Sequence, residues 1–346
     1  MESLEQQILA FTPTTEPISL KILSLNILAQ HLCDGELPAY PYINSKHQST
    51  LQALRQEQLS KFFSEHKSAD IFHLQEVGPL DEATVQNAHK SSLGSNFEYI
   101  ISRSFGGTAK LQLVTIFNTL TLDKISVQDI YFPKKGKLFQ FGLALQFRHK
   151  MTLETFHSIN VHLNGGKTPE DKAIRTEQLK VLIENPIFKE RNVVLTGDFN
   201  TELDELDGQM KGMGFPFVGP LEEYSPLHNT ENRIQERQRD GHSGMAVVRR
   251  KIDAVFYCGF KKAAQLVPTA NFESLVNSEA LDRIESICKL KEDKEAEKQE
   301  KADLIKGFKE EIGLNLETNT VNLQVGFPNI YWFSDHLPVG ACLTFT

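Results

Sequence analysis

The stretch VVLTGDFN at residues 193–200 limits the possible folds of this chain more than any other, because an apolar run ends there in a glycine followed by polar residues. This composition is typical of a core strand that stops at a tight turn. Asp198 and Asn200 follow at a spacing of two, so both side chains are expected on the same side, past the end of the sheet. Polar groups held there often form a functional site. An Asx turn in which Asn200 caps a following helix is the alternative.

The composition indicates a globular protein. A length of 346 residues with 40% hydrophobic content allows one large core or two modest ones. The net charge of −8 argues against non-specific binding of long nucleic acids through a broad basic surface, but it is compatible with a local basic groove. The four cysteines lack CxxC spacing, which favours reduced thiols over a zinc site.

The N-terminal arm, residues 1–17, has neither a basic n-region nor a long apolar core, so we expect no Sec signal peptide. No apolar run reaches the length of a membrane span, so we expect no transmembrane segment. These features predict a monomer that is cytoplasmic, or exported without a Sec signal as a bacterial effector would be.

Other apolar stretches also contain a polar residue that is expensive to bury alone. LSLNIL contains Asn26, and HLQEV contains Glu76. An unpartnered buried amide costs about 1–3 kcal/mol, and an unpaired charge costs more, so such residues need hydrogen bonds or a metal ion. The full set of these polar residues is Asn26, Glu76, His162, Asp198, Asn200, Asp253, Asp335 and His336.

Taken singly, each of these residues has an ordinary structural explanation, such as an asparagine bonded to neighbouring backbone or a glutamate exposed at a sheet edge. Together they indicate a shared polar site, because buried charges are normally paired or bound to metal. Oxygen ligands suit Mg²⁺ or Mn²⁺, whereas the absence of a thiolate cluster and of an HxxxH helix disfavours a zinc hydrolase.

Three further segments bear on function. Residues 164–167, NGGK, can present backbone N–H groups and the Lys167 ammonium to a phosphate, and Arg175 shares a face with Gln178 on the predicted helix 168–185. A solvated helix surface is the alternative for Arg175. Residues 215–240 are predicted as a long surface loop. The charged segment after residue 272 predicts a solvated helical insertion, or an arm that docks a protein partner.

In this order, LSLNIL, HLQEV, INVHL, TGDFN, KIDAVF and SDHLPV resemble the motif set of the endonuclease/exonuclease/phosphatase superfamily, which has the DNase I-like fold. LQEV and the Arg175–Gln178 spacing are most similar to the branch that holds the deadenylases and nocturnin. The resemblance runs from Asn26 to His336, nearly the whole chain. KIDAVFY lacks the Cys-Asp-Arg pattern of inositol polyphosphate 5-phosphatases, and TELDELDG after the TGDFN motif lacks a proline common in the deadenylase branch.

The resemblance implies an α/β fold, a four-layer sandwich of two packed, mostly antiparallel sheets flanked by helices. Residues 18–346 would form a single catalytic domain, with the charged helical insertion at about residues 273–315. The resemblance also implies a role for each residue of the site. Asn26, Glu76 and Asp335 would bind the metal, Asp198 would activate water, Asn200 would bind the phosphate, and His162 would contact a phosphate oxygen or the leaving group. Asp253 would orient His336, His336 would donate to the scissile phosphate, and Lys167 and Arg175 would bind substrate.

These roles predict a Mg²⁺- or Mn²⁺-dependent phosphodiesterase, with RNA or single-stranded nucleic acid as the expected substrate. A phosphatase or phosphodiesterase acting on phosphoinositides, sphingomyelin or a nucleotide cofactor is the alternative within the same superfamily. A catalytically inactive binding protein is a third hypothesis, and the complete polar set argues against it.

Overall fold

The computed structural model describes residues 18–29, 48–102, 111–134, 137–215, 231–239, 242–265, 283, 286–287, 290, 295–311, 314–315, 320–321, 336 and 338–345. The predicted N-terminal arm, Asp335 and much of the predicted insertion therefore lie outside the described residues. Among the residues that are described, no helix is both long enough and apolar enough to span a membrane.

Most helices and strands occur where the apolar patterns predict them, with ends that differ by a few residues. The α-helices are α1 (Gln48–Glu65), α2 (Asp81–Ser92), α3 (Pro169–Glu184), α4 (Leu203–Gly212) and α5 (Glu295–Glu311). The strands are β1 (Ser19–Asn26), β2 (Ile71–Val77), β3 (Phe97–Ile101), β4 (Gln112–Asn118), β5 (Leu122–Lys134), β6 (Lys137–His149), β7 (Thr155–His162), β8 (Val193–Asp198), β9 (Glu231–Arg239), β10 (His242–Arg250), β11 (Asp253–Cys258), β12 (Phe260–Gln265), β13 (Leu314–Asn315), β14 (Thr320–Val321) and β15 (Val339–Phe345).

Two sheets form the centre of the fold. The first has the order β12-β15-β1-β2-β4-β3, and the second has the order β11-β8-β7-β6-β5. Neighbouring strands are antiparallel except for β1–β2 and β7–β8, each of which is parallel. A parallel pair needs a crossover connection, and α1 and α3 lie in these two connections. The carboxyl ends of each parallel pair therefore lie side by side.

Apolar side chains divide into three layers of core. One lies between the first sheet and helices α1 and α2, where Phe62 and Val85 pack against Phe72. A second lies between the two sheets. The third joins the second sheet to helices α3 and α4, where Leu179 and Leu206 are buried. The predicted four-layer α/β sandwich is confirmed.

The inner faces of the strands change character along their length. On β1 the residues that face the other sheet run from Leu20 and Ile22 to Ser24 and Asn26, all of them buried. The same change from apolar to polar occurs on β8, which ends at Asp198. Successive side chains of a strand alternate between its two faces, so only every second residue contributes to this polar end of the layer between the sheets.

The prediction of a loop over residues 215–240 is wrong for its second half. Residues 231–239 form β9, which pairs along its whole length with β10 in a separate two-stranded ribbon. Pairing with a second strand supplies hydrogen bonds that the polar composition of β9 does not reveal. The stretch RRKIDAVFY, whose apolar residues predict one strand over residues 249–257, is divided into β10 and β11, with Lys251 and Ile252 between them.

Candidate active site

The site forms at the edge of the sandwich where β1, β2, β7 and β8 end and β11 begins. In the parallel pair β7–β8, His162 is the register partner of Asp198. In the antiparallel pair β8–β11, Asp198 is the register partner of Asp253. Three polar side chains are therefore adjacent across three neighbouring strands, as the pairing of the backbone requires.

Gly197 makes the close approach of β7 and β8 possible. Its φ angle is +141°, and a Cβ atom there would lie 1.9 Å from the carbonyl oxygen of Val161. Any other residue would push the strands apart at the level of Asp198. The glycine therefore serves close strand packing inside β8, and the strand ends only after it, at Asp198.

Glu76 is directed into the site by an irregularity in β2. The β2–β4 register shifts between Leu74 and Val77, and Glu76 has a φ angle of +59°. A β-bulge re-aims a side chain, and a positive φ is uncommon for a residue other than glycine. A backbone conformation of this kind persists only where the surrounding structure enforces it, and such residues cluster at functional sites.

A buried ion pair supports the loops that follow Asn26 and Glu76. The Arg55 side chain donates hydrogen bonds to the carbonyl oxygens of Ile27 and Leu28, at 3.2 and 2.6 Å, and to the Asp81 carboxylate at 3.1 Å. Asp81 in turn accepts a hydrogen bond from the Gly78 N–H at 3.2 Å. Both loops are thus fixed to one guanidinium–carboxylate pair whose side chains are about 4% exposed or less.

Asn26 bridges two carboxylates. Its Nδ2 atom lies 3.0 Å from Glu76 Oε1 and 3.0 Å from Asp198 Oδ2, and it donates to both. Its Oδ1 atom accepts a hydrogen bond from the Leu28 N–H at 2.9 Å. In this geometry the amide nitrogen faces the carboxylates and links Glu76 to Asp198. A metal-ligand role for Asn26 stays a prediction.

Two overlapping groups of side chains could hold a metal ion. In each group, one ligand atom per residue lies within 4.8 Å of the others; one group is Glu76, His162 and Asp198, and the other is Asp198, Asp253 and His336. His162 Nε2 lies 3.6 Å from Glu76 Oε1 and 3.7 Å from Asp198 Oδ2. Asp198 belongs to both groups and is therefore the centre of the site.

The two carboxylic acids at the centre have opposite pKa shifts. Burial and the nearby Asp253 carboxylate raise the pKa of Asp198 to about 6, although His336 and His162 partly oppose this. Burial would also raise the pKa of Glu76, but His162, the Asn26 amide and His336 hold that pKa below its usual value. Glu76 is therefore a carboxylate throughout the neutral range, whereas Asp198 is a stronger base than an ordinary aspartate.

Asp253 and His336 form a hydrogen-bonded pair. His336 Nδ1 lies 2.8 Å from Asp253 Oδ2, and both residues are buried. The other ring nitrogen, Nε2, lies 3.9 Å from Asp198 Oδ2. An aspartate bonded to one nitrogen fixes the ring and directs the other nitrogen, so His336 presents Nε2 to the centre of the site.

Asn200 follows the site in a strained turn. Its φ angle is +50°, and its N–H donates to Asp198 Oδ1 at 2.8 Å, which forms an Asx turn. Its Nδ2 atom donates to the Leu163 carbonyl oxygen at 3.1 Å. The alternative that Asn200 caps a helix is not what the structure shows, because the residue before α4 is Glu202.

Side chains of helix α3 are hydrogen-bonded to the backbone of the loop after β7. Arg175 is buried and donates to the carbonyl oxygens of Asn164 and Gly166, at 3.0 and 2.9 Å, and Gln178 accepts a hydrogen bond from the Asn164 N–H at 2.9 Å. The guanidinium therefore shapes this loop. Lys167 is exposed on it. Binding of substrate by Lys167 or Arg175 stays a prediction.

Sequence reasoning missed a group of buried polar residues just behind the site, of which His73, Gln75 and Asn160 are the largest. Each lies on the inner face of a strand, where the sequence analysis selected only the last polar residue. The spacing of polar residues in the sequence indicates this group, because residues two apart in a strand lie on the same face. Asn160 precedes His162 by two residues, and Thr196 precedes Asp198 by two.

No protein-family model matches the chain. A search of curated proteins finds no relative with significant similarity.

Solved structures are similar over almost the whole chain. The crystal structure of ANGEL2, a 2′,3′-cyclic phosphatase in complex with adenosine-2′,3′-vanadate, has a TM-score of 0.62 at 16% identity and covers 96% of this chain and 97% of its own. An endonuclease/exonuclease/phosphatase family protein from Bacteroides thetaiotaomicron has a TM-score of 0.58 at 17% identity, covering 96% and 99%. The human nocturnin catalytic domain with bound sulfate has a TM-score of 0.56 at 14% identity, covering 95% of each chain.

Identities this low establish the fold alone, but the coverage shows that the similarity is not confined to one motif. The resemblance in the ordered motifs and the similarity of the whole structure agree. The chain has the DNase I-like α/β fold of endonuclease/exonuclease/phosphatase proteins.

Proposed function

We propose that this protein is a divalent-metal-dependent phosphoesterase. The observation that carries the proposal is the convergence of three carboxylates, from Glu76, Asp198 and Asp253, with two histidines at one edge of the sandwich. Burying so much negative charge together is unfavourable unless a cation or a bound ligand compensates it. The similarity in fold to a 2′,3′-cyclic phosphatase and to nocturnin supports the same class of chemistry.

The donor atoms fit a hard divalent cation such as Mg²⁺ or Mn²⁺. Glu76 offers an ionised carboxylate, and Asp198 offers a second whose raised pKa shows that positive charge nearby would be favourable. Glu76 and Asp198 would hold the ion, with Asp335 and the Asn26 carboxamide as further predicted ligands. When bound, such an ion neutralises charge on a phosphate and promotes ionisation of water.

The residues of the chain would then divide the work of hydrolysis. Asp198, at the centre of the site, accepts a proton from the attacking water as the water oxygen bonds to phosphorus. His336 in its doubly protonated form, with Nδ1–H bonded to Asp253, donates a hydrogen bond from Nε2–H to a phosphoryl oxygen. The bond from phosphorus to the ester oxygen breaks, and the leaving oxygen takes a proton, which we propose comes from His162, a partly exposed side chain beside Glu76.

We propose nucleic acid, in particular RNA or single strands, as the substrate class, because the motifs LQEV and Arg175–Gln178 resemble the deadenylase branch. A specific observation favours a second candidate: the ANGEL2 structure, a 2′,3′-cyclic phosphatase, has a TM-score of 0.62 with this chain. Cleavage of a cyclic phosphate breaks the same kind of phosphodiester bond, so the same groups would act.

A substrate panel tests the proposal. Metal-free protein would be assayed with Mg²⁺ or Mn²⁺ on poly(A) RNA, single- and double-stranded DNA, RNA ending in a 2′,3′-cyclic phosphate, nucleotide cofactors, phosphoinositides and sphingomyelin. We expect metal-dependent hydrolysis of RNA substrates that Asp198→Asn abolishes. Activity confined to lipids would contradict the assignment of nucleic acid as the substrate. Equal activity of wild type and Asp198→Asn would contradict the assignment of the catalytic site.

A further inference from the structure

We propose that a buried hydrogen-bond network between the two sheets positions the two halves of the site relative to each other. We call it the inter-sheet network, and its residues are Ser24, His73, Gln75, Ser158, Asn160 and Thr196. The inference rests on the proposed function, since it assigns positioning residues for that reaction. None of these six side chains is placed to touch a substrate, because they lie in the interior behind the residues of the site.

Gln75 and Asn160 form the first link across the sheets. Gln75 Nε2, on β2, donates to Asn160 Oδ1, on β7, at 2.6 Å and to Ser24 Oγ at 3.0 Å. Asn160 Nδ2 donates to the carbonyl oxygens of Leu74 and Val114, both at 3.0 Å. One carboxamide of the second sheet is thus bonded to three groups on two strands of the first.

His73 forms the second link. Its Nδ1 atom is hydrogen-bonded to Thr196 Oγ1, and its Nε2 atom lies 3.1 Å from Ser158 Oγ. Burial lowers the pKa of His73 to about 3, so the ring is neutral at any working pH and has one donor and one acceptor nitrogen. A neutral ring can satisfy both hydroxyls, and it thereby connects β2 of the first sheet with β7 and β8 of the second.

The network is arranged directly behind the site. Ser24 precedes Asn26 by two residues, Asn160 precedes His162 by two, and Thr196 precedes Asp198 by two. Residues two apart lie on the same face of a strand, so each member stands one step further into the interior on the same row as a residue of the site. Gln75 directly precedes Glu76, whose bulge begins at this point.

The halves of the site come from different sheets, which is why such a link is needed. Asn26 and Glu76 belong to the first sheet, and His162, Asp198 and Asp253 belong to the second. Apolar packing between sheets is non-directional and tolerates small shifts. Hydrogen bonds between fixed partners specify one arrangement, and a shift of about 1 Å at catalytic groups reduces the rate severely.

Variants at Thr196 separate positioning from packing. Thr196→Val keeps the shape and removes the hydroxyl, whereas Thr196→Ser keeps the hydroxyl and removes a methyl group. If Thr196 only fills space, Thr196→Val is the more active variant. We expect the reverse: kcat about tenfold or more lower in Thr196→Val, with KM little changed, and near wild-type kcat in Thr196→Ser.

The double variant Gln75→Leu/Asn160→Leu tests the other link. Replacing both carboxamides by apolar groups of similar shape avoids stranding one of them, but Ser24 Oγ and the carbonyl oxygens of Leu74 and Val114 still lose a donor. We expect the double variant to unfold cooperatively at a lower urea concentration than wild type, and to bind Mn²⁺ about tenfold or more weakly by electron paramagnetic resonance under conditions where it is folded. Thr121→Val, in a hydrogen bond at the opposite end of the sandwich, is the matched control.

A readout without activity keeps this inference distinct from the proposed function. The NMR resonances of His162 and His336 report the geometry of the site in the metal-free protein. We expect them to move in Thr196→Val and to stay in place in Thr196→Ser and Thr121→Val, even if no substrate is hydrolysed by wild type. Unmoved resonances in Thr196→Val, or wild-type kcat and Mn²⁺ affinity in the double Leu variant, would overturn the inference.

Discussion

The two ends of the sandwich bury carboxylates in opposite ways. At the end remote from the site, Asp70 accepts hydrogen bonds from the Lys21 N–H and the Thr121 hydroxyl, both at 2.8 Å. At the site end, Asp198 lies beside Asp253, its register partner, and shares the Asn26 amide with Glu76. Both Asp70 and Asp198 have a pKa raised chiefly by burial.

The difference lies in the neighbours. Asp70 has its own local donors, and a structural role accounts for it fully. Asp198 has a second carboxylate as a neighbour, and that repulsion adds to the effect of burial on its pKa. A buried carboxylate therefore indicates a functional site when a second carboxylate lies beside it, and a structural role when backbone N–H and hydroxyl groups satisfy it.

The largest expected effect is on the reaction rate. Asp198→Asn should lower kcat at least about 10³-fold, equivalent to about 4 kcal/mol of barrier, because it removes the base and one metal ligand. Asp70→Asn, the same change at the remote end, should leave kcat within a few-fold of wild type. Steady-state kinetics on the best substrate of the panel would measure both, and a comparable loss in both variants would show that the two ends do not differ.

The Arg55–Asp81 pair should matter for stability and for the site. Asp81→Leu alone leaves a buried guanidinium without its carboxylate and should lower the free energy of unfolding by about 3 kcal/mol or more. The double variant Arg55→Met/Asp81→Leu should recover much of that stability. It should still lose activity, since the loops after Asn26 and Glu76 lose their common support. Urea unfolding and kcat measured together check this, and full activity in the double variant would contradict it.

A smaller effect concerns the pH dependence of stability in the metal-free protein. Between the unfolded pKa of about 4 and the folded pKa of about 6, folded Asp198 binds more protons than the unfolded chain does. The free energy of unfolding must therefore fall as pH rises through this window, by about 2 kcal/mol from this group. The difference between wild type and Asp198→Asn, measured by urea unfolding from pH 4 to 7, should show this slope. A difference independent of pH would contradict the raised pKa.

The smallest effect is expected at the remote end. Thr121→Val removes one hydrogen bond to the Asp70 carboxylate and should lower the free energy of unfolding by about 1–2 kcal/mol. Because this end holds no part of the site, kcat and metal affinity should remain those of wild type. Chemical unfolding and steady-state kinetics check it. Reduced metal affinity in Thr121→Val would mean that the two ends are coupled.

Much of the fold could be predicted because the spacing of apolar residues along the chain shows which face of each strand or helix packs into the core. The sequence pattern predicts a helix that begins at Asp81 and a strand over residues 97–101, and α2 and β3 occur there. Thr168 caps α3 through a capping box with Asp171, as an N-cap threonine should. The ordered motifs also indicated which residues gather. Their convergence follows from the strand order, which no single motif contains.

Other features depend on contacts between distant segments. The positive φ of Glu76 arises from a shift in β2–β4 pairing, and the Asn26 amide is oriented by Leu28 and by two carboxylates at once. The strand β9 is polar in composition and exists through its pairing with β10. Such features are set by tertiary partners and not by local propensity, which is why the sequence pattern did not predict them.

Binding of Mn²⁺ to the metal-free protein tests the central claim most directly. Titration calorimetry on wild type, Glu76→Gln and Asp70→Asn would compare one carboxylate of the site with the one at the remote end. We expect wild type and Asp70→Asn to bind with the same affinity, in competition with Mg²⁺, and Glu76→Gln to bind at least about tenfold more weakly. No binding to wild type, or equal binding by wild type and Glu76→Gln, would contradict the account.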